Sequence, residues 1–182
     1  MHLYAVRRIE DVTVADIAEE ANMTSAAVYY HYPSKEDLLL EGLREFAEGM
    51  QSELTDLLEA ANGSGGSLGA VIADLLTWLE AHRAAALVWF VTSPGLNESV
   101  EALRRESRLD VVDALAAEIR KRSKGRSRAD ATVAATALVV LLEQAAMSAL
   151  TEDSVLANLG RRRFAAEVVL LGDLIANGQP PG

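Results

Sequence analysis

Few side chains in this sequence could do catalytic or metal-binding chemistry, and their spacing favours neither kind of site. The three histidines, His2, His31 and His82, have no metal-ligand spacing, and the absence of cysteine excludes thiolate ligands and cysteine nucleophiles. No glycine-rich phosphate loop follows a predicted strand, and no nucleophile elbow is present. We therefore expect a protein that is not an enzyme and that needs neither a metal nor a cofactor.

The composition is that of a folded, acidic protein. Half of the 182 residues are hydrophobic, and 27 acidic residues against 17 basic ones give a formal net charge of -10. A uniformly basic nucleic-acid binder is thereby excluded, so any surface that binds DNA must be local. The sequence Met1–Glu10 carries arginines where a signal peptide needs an apolar stretch. Together with the lack of cysteine, this predicts a cytoplasmic protein.

Apolar residues recur with helical spacing along the chain, and glycine or proline clusters mark the breaks, so the fold class is predicted to be all-α. The apolar run Ala131–Leu142 is too short for a membrane span, which needs roughly 20 residues, and favours a buried helix. The basic run Lys121–Arg128 is predicted to be a solvated loop. The longer predicted helices are Ser34–Ala61, Leu68–Ala81, Arg83–Thr92, Asn97–Ser123, Ala129–Leu150 and Arg161–Ala176.

Shorter helices are predicted in the first forty residues. Thr13 and Asp16 have the spacing of a helix start, in which the threonine oxygen caps free amides and the acid lies near the positive end of the helix. Asn22 stands where a left-handed residue would end that helix. Thr24 can cap a second helix of about eight residues, which Pro33 stops. Two such short helices must pack against a third, and this arrangement indicates a helix-turn-helix.

The segment Thr13–Leu43, with its run Val28–Glu36 (VYYHYPSKE), resembles the DNA-binding signature of the TetR/AcrR family of bacterial transcription regulators. The resemblance implies a helix-turn-helix domain over residues 1–42, with an apparently shortened first helix, and a helical domain for effector binding and dimerisation over residues 43–182. It implies a homodimer that binds a palindromic DNA operator, most simply as a repressor, and that a small effector releases. The candidate pocket residues named below favour a mostly apolar effector.

Particular DNA contacts follow from the same resemblance. Ser25, Ala26 and Tyr30 are expected to face base edges, and Ala27 can touch a thymine methyl group as Ala26 can. Phosphate contacts are expected from a second set, whose members either stand at helix starts or offer a side-chain donor. This set is Thr13, Thr24, Tyr29, His31 and Lys35. Thr13 and Thr24 would also cap helices in a protein that does not bind DNA, so they do not distinguish a phosphate contact from a purely structural role.

The second domain is expected to hold the effector pocket and the dimer interface. The dimer interface is expected where Ala129–Leu150 and Arg161–Ala176 pack as a four-helix bundle with a second copy. Large or adaptable side chains are candidates for the pocket walls, although each could equally be plain core, and a few polar ones are candidates for anchors. The candidates are Met50, Trp78, His82, Trp89, Phe90, Leu103, Glu143, Gln144 and Met147.

An alternative function remains open at this stage. Only twelve residues precede Thr13, which leaves barely two turns for a first helix. The first 48 residues also hold four basic side chains against ten acidic ones, and phosphate contacts supply most non-specific affinity for DNA. The alternative is a helical ligand-binding dimer that has lost specific DNA binding.

Overall fold

A computed structural model describes residues 1–123, 125–151 and 159–178, and these residues contain helices and turns but no strand. The predicted all-α class is therefore confirmed. A 3₁₀ turn, Ile9–Asp11, separates the first two helices, and a π-helical turn, Val88–Thr92, follows the sixth. The helices are α1 (His2–Val6), α2 (Val14–Glu20), α3 (Ser25–His31), α4 (Lys35–Ser64), α5 (Leu68–Ala81), α6 (Arg83–Leu87), α7 (Glu98–Arg122), α8 (Arg128–Thr151) and α9 (Arg161–Asn177).

The amino-terminal part of the chain, up to the start of α4, has five apolar side chains that are at most 4% exposed: Tyr4, Val12, Ala18, Val28 and Leu39. Tyr4, Val12 and Leu39 belong to the main hydrophobic core, and α2 packs against α3. Because α2 and α3 have only seven residues each, they depend on this packing and on their caps rather than on intrinsic helicity.

The long helix α4 connects these short helices to the rest of the molecule. Its N-cap is Ser34, whose hydroxyl oxygen accepts a hydrogen bond from the Asp37 amide at 3.1 Å. The helix runs three residues beyond the predicted end and stops at Gly65, whose φ of 72° is the left-handed conformation of a C-cap. Near its end, Leu58 is buried and its neighbour Leu57 is half-buried.

Helices α5 and α7 pack against α4, α8 packs against α7 and α5, and α9 packs against α5 and α8. The crossing of α5 over α9 is unusually close, because glycines meet there. An ideal Cβ atom added to Gly172 would lie 2.7 Å from the Cα atom of Gly69. The Gly69 amide also donates a 2.8 Å hydrogen bond to a carboxylate oxygen of Asp173. The two backbones thus touch directly, and a carboxylate on α9 caps an amide in the first turn of α5.

Two further elements differ from the sequence-based expectation. The segment Arg83–Thr92 is not one α-helix, since its second half widens into the π-helical turn, with a 2.9 Å hydrogen bond from the Ser93 amide to the Val88 carbonyl. The predicted loop Lys121–Arg128 is only partly solvated. Arg122 donates to Glu118 on α7 and to the Gly66 carbonyl, and Arg126 donates to the Ala176 carbonyl on α9. Lys124 lies outside the described residues.

Helix α8, Arg128–Thr151, is the one helix of the described residues that is long and apolar enough to cross a membrane. Half of its most apolar window is buried inside the molecule, against α5, α7 and α9. Such burial is the property of a core helix in a helical bundle.

Candidate nucleic-acid interface and effector cavity

The exposed face of α3 presents aromatic side chains to solvent. Tyr30 is 85% exposed and Tyr29 is 55% exposed, and Ala26 lies one turn before Tyr30 on the same face. On the opposite face, Val28 is 4% exposed and anchors the helix to its core. Water-exposed tyrosines on a seven-residue helix contribute little to folding, so this face is available for a partner.

The turn before α3 fixes how that face points. Asn22 has a φ of 54°, the left-handed conformation predicted for it, and the Met23 amide donates to the Ala18 carbonyl at 2.8 Å. The hydroxyl oxygen of Thr24 accepts a hydrogen bond from the Ala27 amide at 3.1 Å and caps α3. Thr24 is exposed and Ser25 is half-buried, so the start of α3 reaches the surface.

The start of α2 has a reciprocal capping box. The Thr13 hydroxyl oxygen accepts from the Asp16 amide, and the Thr13 amide donates to the Asp16 carboxylate at 2.7 Å. Hydrogen bonds from the Thr13 hydroxyl and amide, aided by Arg7, lower the pKa of Asp16 to about 2. Thr13 and Asp16, the two residues that predicted the start of α2, thus both contribute to its cap.

All four basic side chains of the first 48 residues have partners within the chain. Arg7, Arg8 and Arg44 form ion pairs with carboxylates, at 3.2, 3.0 and 3.5 Å. The Lys35 ammonium donates to the carbonyls of Ile9, Glu10 and Val12 at 3.0 to 3.2 Å. The Lys35 side chain therefore closes the 3₁₀ turn, and Lys35 is also the first residue of α4.

Tyr4 links the first helix to the same position. Its side chain is 2% exposed, and its hydroxyl donates a 3.3 Å hydrogen bond to the Lys35 carbonyl. Burial, with a smaller contribution from Glu36, raises the pKa of Tyr4 to about 12. Helix α1 also contacts α6 and the π-helical turn. The short helices are therefore joined to the rest of the molecule both through α4 and through α1.

A small cavity lies between α4, the π-helical turn, α7 and α8. Its volume is about 30 Å³, room for one or two water molecules. Apolar side chains from all four elements form most of the wall, and four polar ones complete it. The lining residues are Met50, Trp89, Phe90, Arg104, Ser107, Arg108, Val111, Val139, Leu142 and Glu143.

The polar side of this cavity holds two guanidinium groups, a carboxylate and a hydroxyl. The Arg104 guanidinium donates to the Trp89 carbonyl, and its carbon lies 5.3 Å from the centre of the Trp89 ring. Arg108 forms an ion pair with Glu143 at 2.9 Å. Burial lowers the pKa of Arg104 and raises the pKa of Glu143, although the neighbouring Arg108 and Arg104 partly offset the latter. The carboxylate of Glu101 lies 3.7 Å from Arg104.

The structure brings four of the nine predicted effector residues together: Met50, Trp89, Phe90 and Glu143 line the cavity. The remaining five do not line it. Trp78 and His82 stack on each other with ring centres 3.9 Å apart, and Leu103 lies in a neighbouring surface depression. Gln144 and Met147 are exposed on another side of α8.

Sequence reasoning missed Arg104, Ser107 and Arg108. Arg104 and Arg108 are four residues apart, next to the buried stripe of α7, and Ser107 is 7% exposed. Their position beside the buried stripe of α7 could have suggested a role in the cavity. A long cationic side chain at such a position can reach either solvent or a neighbouring helix. In the described part of the chain, no group of three or more His, Cys, Asp or Glu side chains could hold a metal ion.

A second, larger cavity of about 260 Å³ lies between α5, the end of α8 and the start of α9. Its walls include Leu76, Ala149 and Phe164, and Arg161 at its rim forms an ion pair with Glu80 at 3.2 Å. No residue of α4, α6 or the π-helical turn lines it. It therefore lacks a direct connection to the amino-terminal helices.

Helices α8 and α9 carry exposed apolar side chains. Val133, Val140 and Met147 are spaced by seven residues on α8, and they are 70%, 50% and 39% exposed. Leu170 and Leu171 on α9 are 48% and 45% exposed. The seven-residue spacing places the α8 residues along one line of the helix, next to the α9 helix that α8 contacts.

Comparison with known proteins places the amino-terminal helices among bacterial regulators. Residues 1–41 match the family model described as bacterial regulatory proteins, tetR family, so the predicted resemblance is confirmed for this segment. Among curated proteins, the HTH-type transcriptional repressor KstR2 of Rhodococcus jostii is 28% identical over 87 residues, which are 48% of this chain and 43% of that protein. The repressor of the same name from Mycolicibacterium smegmatis is 34% identical over 59 residues, 32% of this chain and 29% of that protein. The matches thus span less than half of the length of these relatives.

Solved structures extend the likeness to the whole fold. A TetR transcriptional regulator from Legionella pneumophila has a TM-score of 0.68 at 17% identity, over 94% of this chain and 91% of that one. The fatty acid degradation regulator FadR from Bacillus halodurans has a TM-score of 0.72 at 14% identity, over 98% of this chain and 94% of that one. The chain therefore has the fold of these regulators, an amino-terminal helix-turn-helix followed by a larger helical part.

Proposed function

We propose that this protein is a cytoplasmic, ligand-responsive transcriptional regulator that binds a palindromic DNA operator as a homodimer and acts as a repressor. The observation that carries the proposal is the free aromatic face of α3, in a segment that matches tetR-type regulators. On this account residues 1–42 form the DNA-binding domain, and residues 43–182 form the effector-binding and dimerisation domain.

The recognition helix α3 would enter the major groove with Ser25, Ala26 and Tyr30 toward base edges. Ala27 lies half-buried beside them, and an alanine methyl group can contact a thymine methyl group. Tyr29 would donate to a phosphate oxygen from the border of the exposed face, and such neutral contacts position a helix without reading sequence.

Phosphate contacts at helix starts would complete the interface. Thr13, Thr24 and Lys35 stand where first-turn amides and the positive end of a helix attract an anion, and His31 is exposed at the end of α3. For Lys35 we assign this role to the backbone amide, because its ammonium is held by three carbonyls. DNA binding would therefore rely less on ion pairs than is usual.

A second copy would cover the apolar faces of α8 and α9. These faces carry apolar side chains that water would contact if the chain were alone: Val133, Val140, Met147, Leu170 and Leu171. Two-fold packing of α8 and α9 into a four-helix arrangement would cover them. A palindromic operator would require the two α3 helices of this dimer to lie on one side of it.

Effector control would run from the cavity to the DNA through two connections. Met50 of α4 lines the cavity, and the same helix begins at Lys35 beside the recognition helix. Trp89 and Phe90 line the cavity from the π-helical turn, which contacts α1. A ligand that widens the cavity would therefore move both connections, and it would favour the arrangement that no longer fits DNA.

One observation favours a second candidate, a helical ligand-binding dimer without specific DNA binding. The first 48 residues are acidic, and all four of their basic side chains already have partners within the chain. Fluorescence anisotropy separates the two candidates. Labelled DNA from the region upstream of the protein's own gene is titrated with protein at several salt concentrations, beside an unrelated duplex of equal length. Tight binding to the first duplex alone, with two chains per site, is expected; equal weak binding to both would favour the second candidate.

A further inference from the structure

We propose that the effector of the cavity between α4, the π-helical turn, α7 and α8 is an organic anion with an apolar body, and that Arg104 and Arg108 bind its negative group. This inference rests on the proposed function, since it gives the chemical class of the ligand at the same site. Four polar side chains face the cavity, and two of them are guanidinium groups.

Arg104 is held in place before any ligand arrives. Its side chain is 21% exposed, it donates to the Trp89 carbonyl, and it lies over the Trp89 ring. A guanidinium has five N–H donors in a fixed planar arrangement, so these contacts leave donors that can point into the cavity. Fixing a cation in advance reduces the entropy that an anionic ligand must lose on binding.

Arg108 already binds a carboxylate, which shows the geometry that a ligand would use. Both oxygens of Glu143 contact its guanidinium nitrogen Nη1, at 3.1 and 2.9 Å. Arg108 is 42% exposed and Glu143 30% exposed, so the pair lies at the mouth of the cavity. A ligand carboxylate that displaces Glu143 restores the same ion pair, and Glu143 can then turn to water.

The Glu143 carboxylate is suited to displacement. Burial raises its pKa, so the charged form is held less firmly there than in water. A neutral ligand that opens the same pair forms no ion pair in its place, and Arg108, which is 42% exposed, then has only water as its partner. The mouth of the cavity therefore favours a ligand with a negative group over a neutral one.

The inner part of the cavity would take the apolar body. Trp89, Phe90 and Met50 are each at most 6% exposed, and Val139 and Leu142 close the opposite wall. The present volume of about 30 Å³ is far below that of a ligand, so binding must open the cavity. Met50 has an unbranched, flexible side chain that repacks easily, and the π-helical turn lacks the regular α-helical hydrogen bonds.

Three probes that share one chain and differ in the end group test the charge requirement. Octanoate, octan-1-ol and octylammonium are titrated into the intact protein by isothermal titration calorimetry. Octanoate is expected to bind about 10- to 100-fold more tightly than octan-1-ol, since the uncharged alcohol cannot form an ion pair with the guanidinium groups. Equal or tighter binding of the alcohol or the amine, or no binding of octanoate, would overturn the inference.

Two variants and a matched control locate the anion. Arg108→Gln is expected to weaken octanoate about 10- to 100-fold and to leave octan-1-ol unchanged, whereas Glu143→Gln removes the internal competitor and should tighten octanoate. The matched control is Arg105→Gln. Arg105 follows Arg104 in the sequence, is 62% exposed and forms an ion pair with Glu98, so this change should not alter octanoate binding. An Arg108 variant that binds octanoate as well as the Arg105 variant does would place the anion elsewhere.

The same samples separate failure of this inference from failure of the proposed function. Anisotropy of the upstream DNA is measured for each variant with and without octanoate. Selective DNA binding that octan-1-ol releases and octanoate does not would retain the regulator and overturn the anionic effector. Octanoate binding by a protein that binds no DNA selectively would retain the anion site and overturn the regulator.

Discussion

Replacing Gly172 with alanine tests the close crossing of α5 and α9. This crossing fixes the position of α9, one of the two helices proposed to form the dimer interface. The new Cβ atom would lie 2.7 Å from the Gly69 Cα atom. Because this neighbour is backbone, no side-chain rotation relieves the clash, and the helices must separate. Overpacking of this kind costs about 1–3 kcal/mol. Separation also breaks the 2.8 Å hydrogen bond from the Gly69 amide to Asp173, worth about 1.5–3 kcal/mol with a charged acceptor.

The helix preference of alanine over glycine offsets about 1 kcal/mol of this loss. The net expectation is a decrease of between about 1.5 and 5 kcal/mol in the free energy of unfolding. The assay is urea unfolding followed by circular dichroism, at one protein concentration for all samples because dimer stability depends on it. Gly63→Ala is the control, since its new Cβ atom would meet nothing within 4 Å. That change should be neutral or stabilise by up to about 1 kcal/mol. A Gly172 variant as stable as the Gly63 variant would refute the proposed backbone contact.

Three further predictions concern the DNA face, the dimer and the first helix. Tyr30→Ala should weaken operator binding about 5- to 150-fold in anisotropy titrations, yet change the unfolding free energy by less than about 0.5 kcal/mol, because the side chain is 85% exposed. Leu170→Glu should raise the dimer dissociation constant at least about tenfold in analytical ultracentrifugation, whereas Leu109→Glu, on an exposed site of α7, should not. Burial raises the pKa of Tyr4 to about 12, so its contribution to stability is complete below pH 10 and falls as the pH rises toward 12. In Tyr4→Phe, the free energy of unfolding measured in urea should no longer fall for this reason between pH 10 and pH 12. If the variant lost as much stability over this range as the unaltered protein does, the claim that burial raises the pKa of Tyr4 would be contradicted.

The helices could be predicted from the sequence because local signals define them. Capping residues such as Thr13, Thr24 and Ser34 placed three helix starts to within a residue, since a cap acts on amides only a few positions away. Asn22 was predicted as left-handed for a similarly local reason. The π-helical turn was not predicted, because the apolar spacing of Arg83–Thr92 is the same for either kind of helix; in the structure the Trp89 carbonyl of this turn accepts a hydrogen bond from Arg104 on α7.

The cavity could be predicted only in part, because its walls depend on how distant helices turn toward one another. Large apolar residues such as Trp89 and Phe90 were sound candidates, but Trp78, of the same type, stacks on His82 elsewhere. Arg104 and Arg108 were not predicted, because their contacts are with the π-helical turn and with Glu143 on α8. The glycine contact between Gly69 and Gly172 was equally invisible, because it joins residues about a hundred positions apart.

Selection of DNA from a library of randomised duplexes tests the central claim most directly, because it requires sequence recognition and two-fold symmetry at once. The intact protein is mixed with the library at low salt, bound duplexes are recovered and amplified, and the enriched sequences are read after several rounds. The account predicts enrichment of one inverted repeat, whose half-sites fit two α3 helices in successive major grooves about 34–36 Å apart, and loss of that enrichment with Tyr30→Ala. Recovery of unrelated sequences by the unaltered protein, with no shared half-site, would contradict the claim that this chain is a DNA-binding regulator.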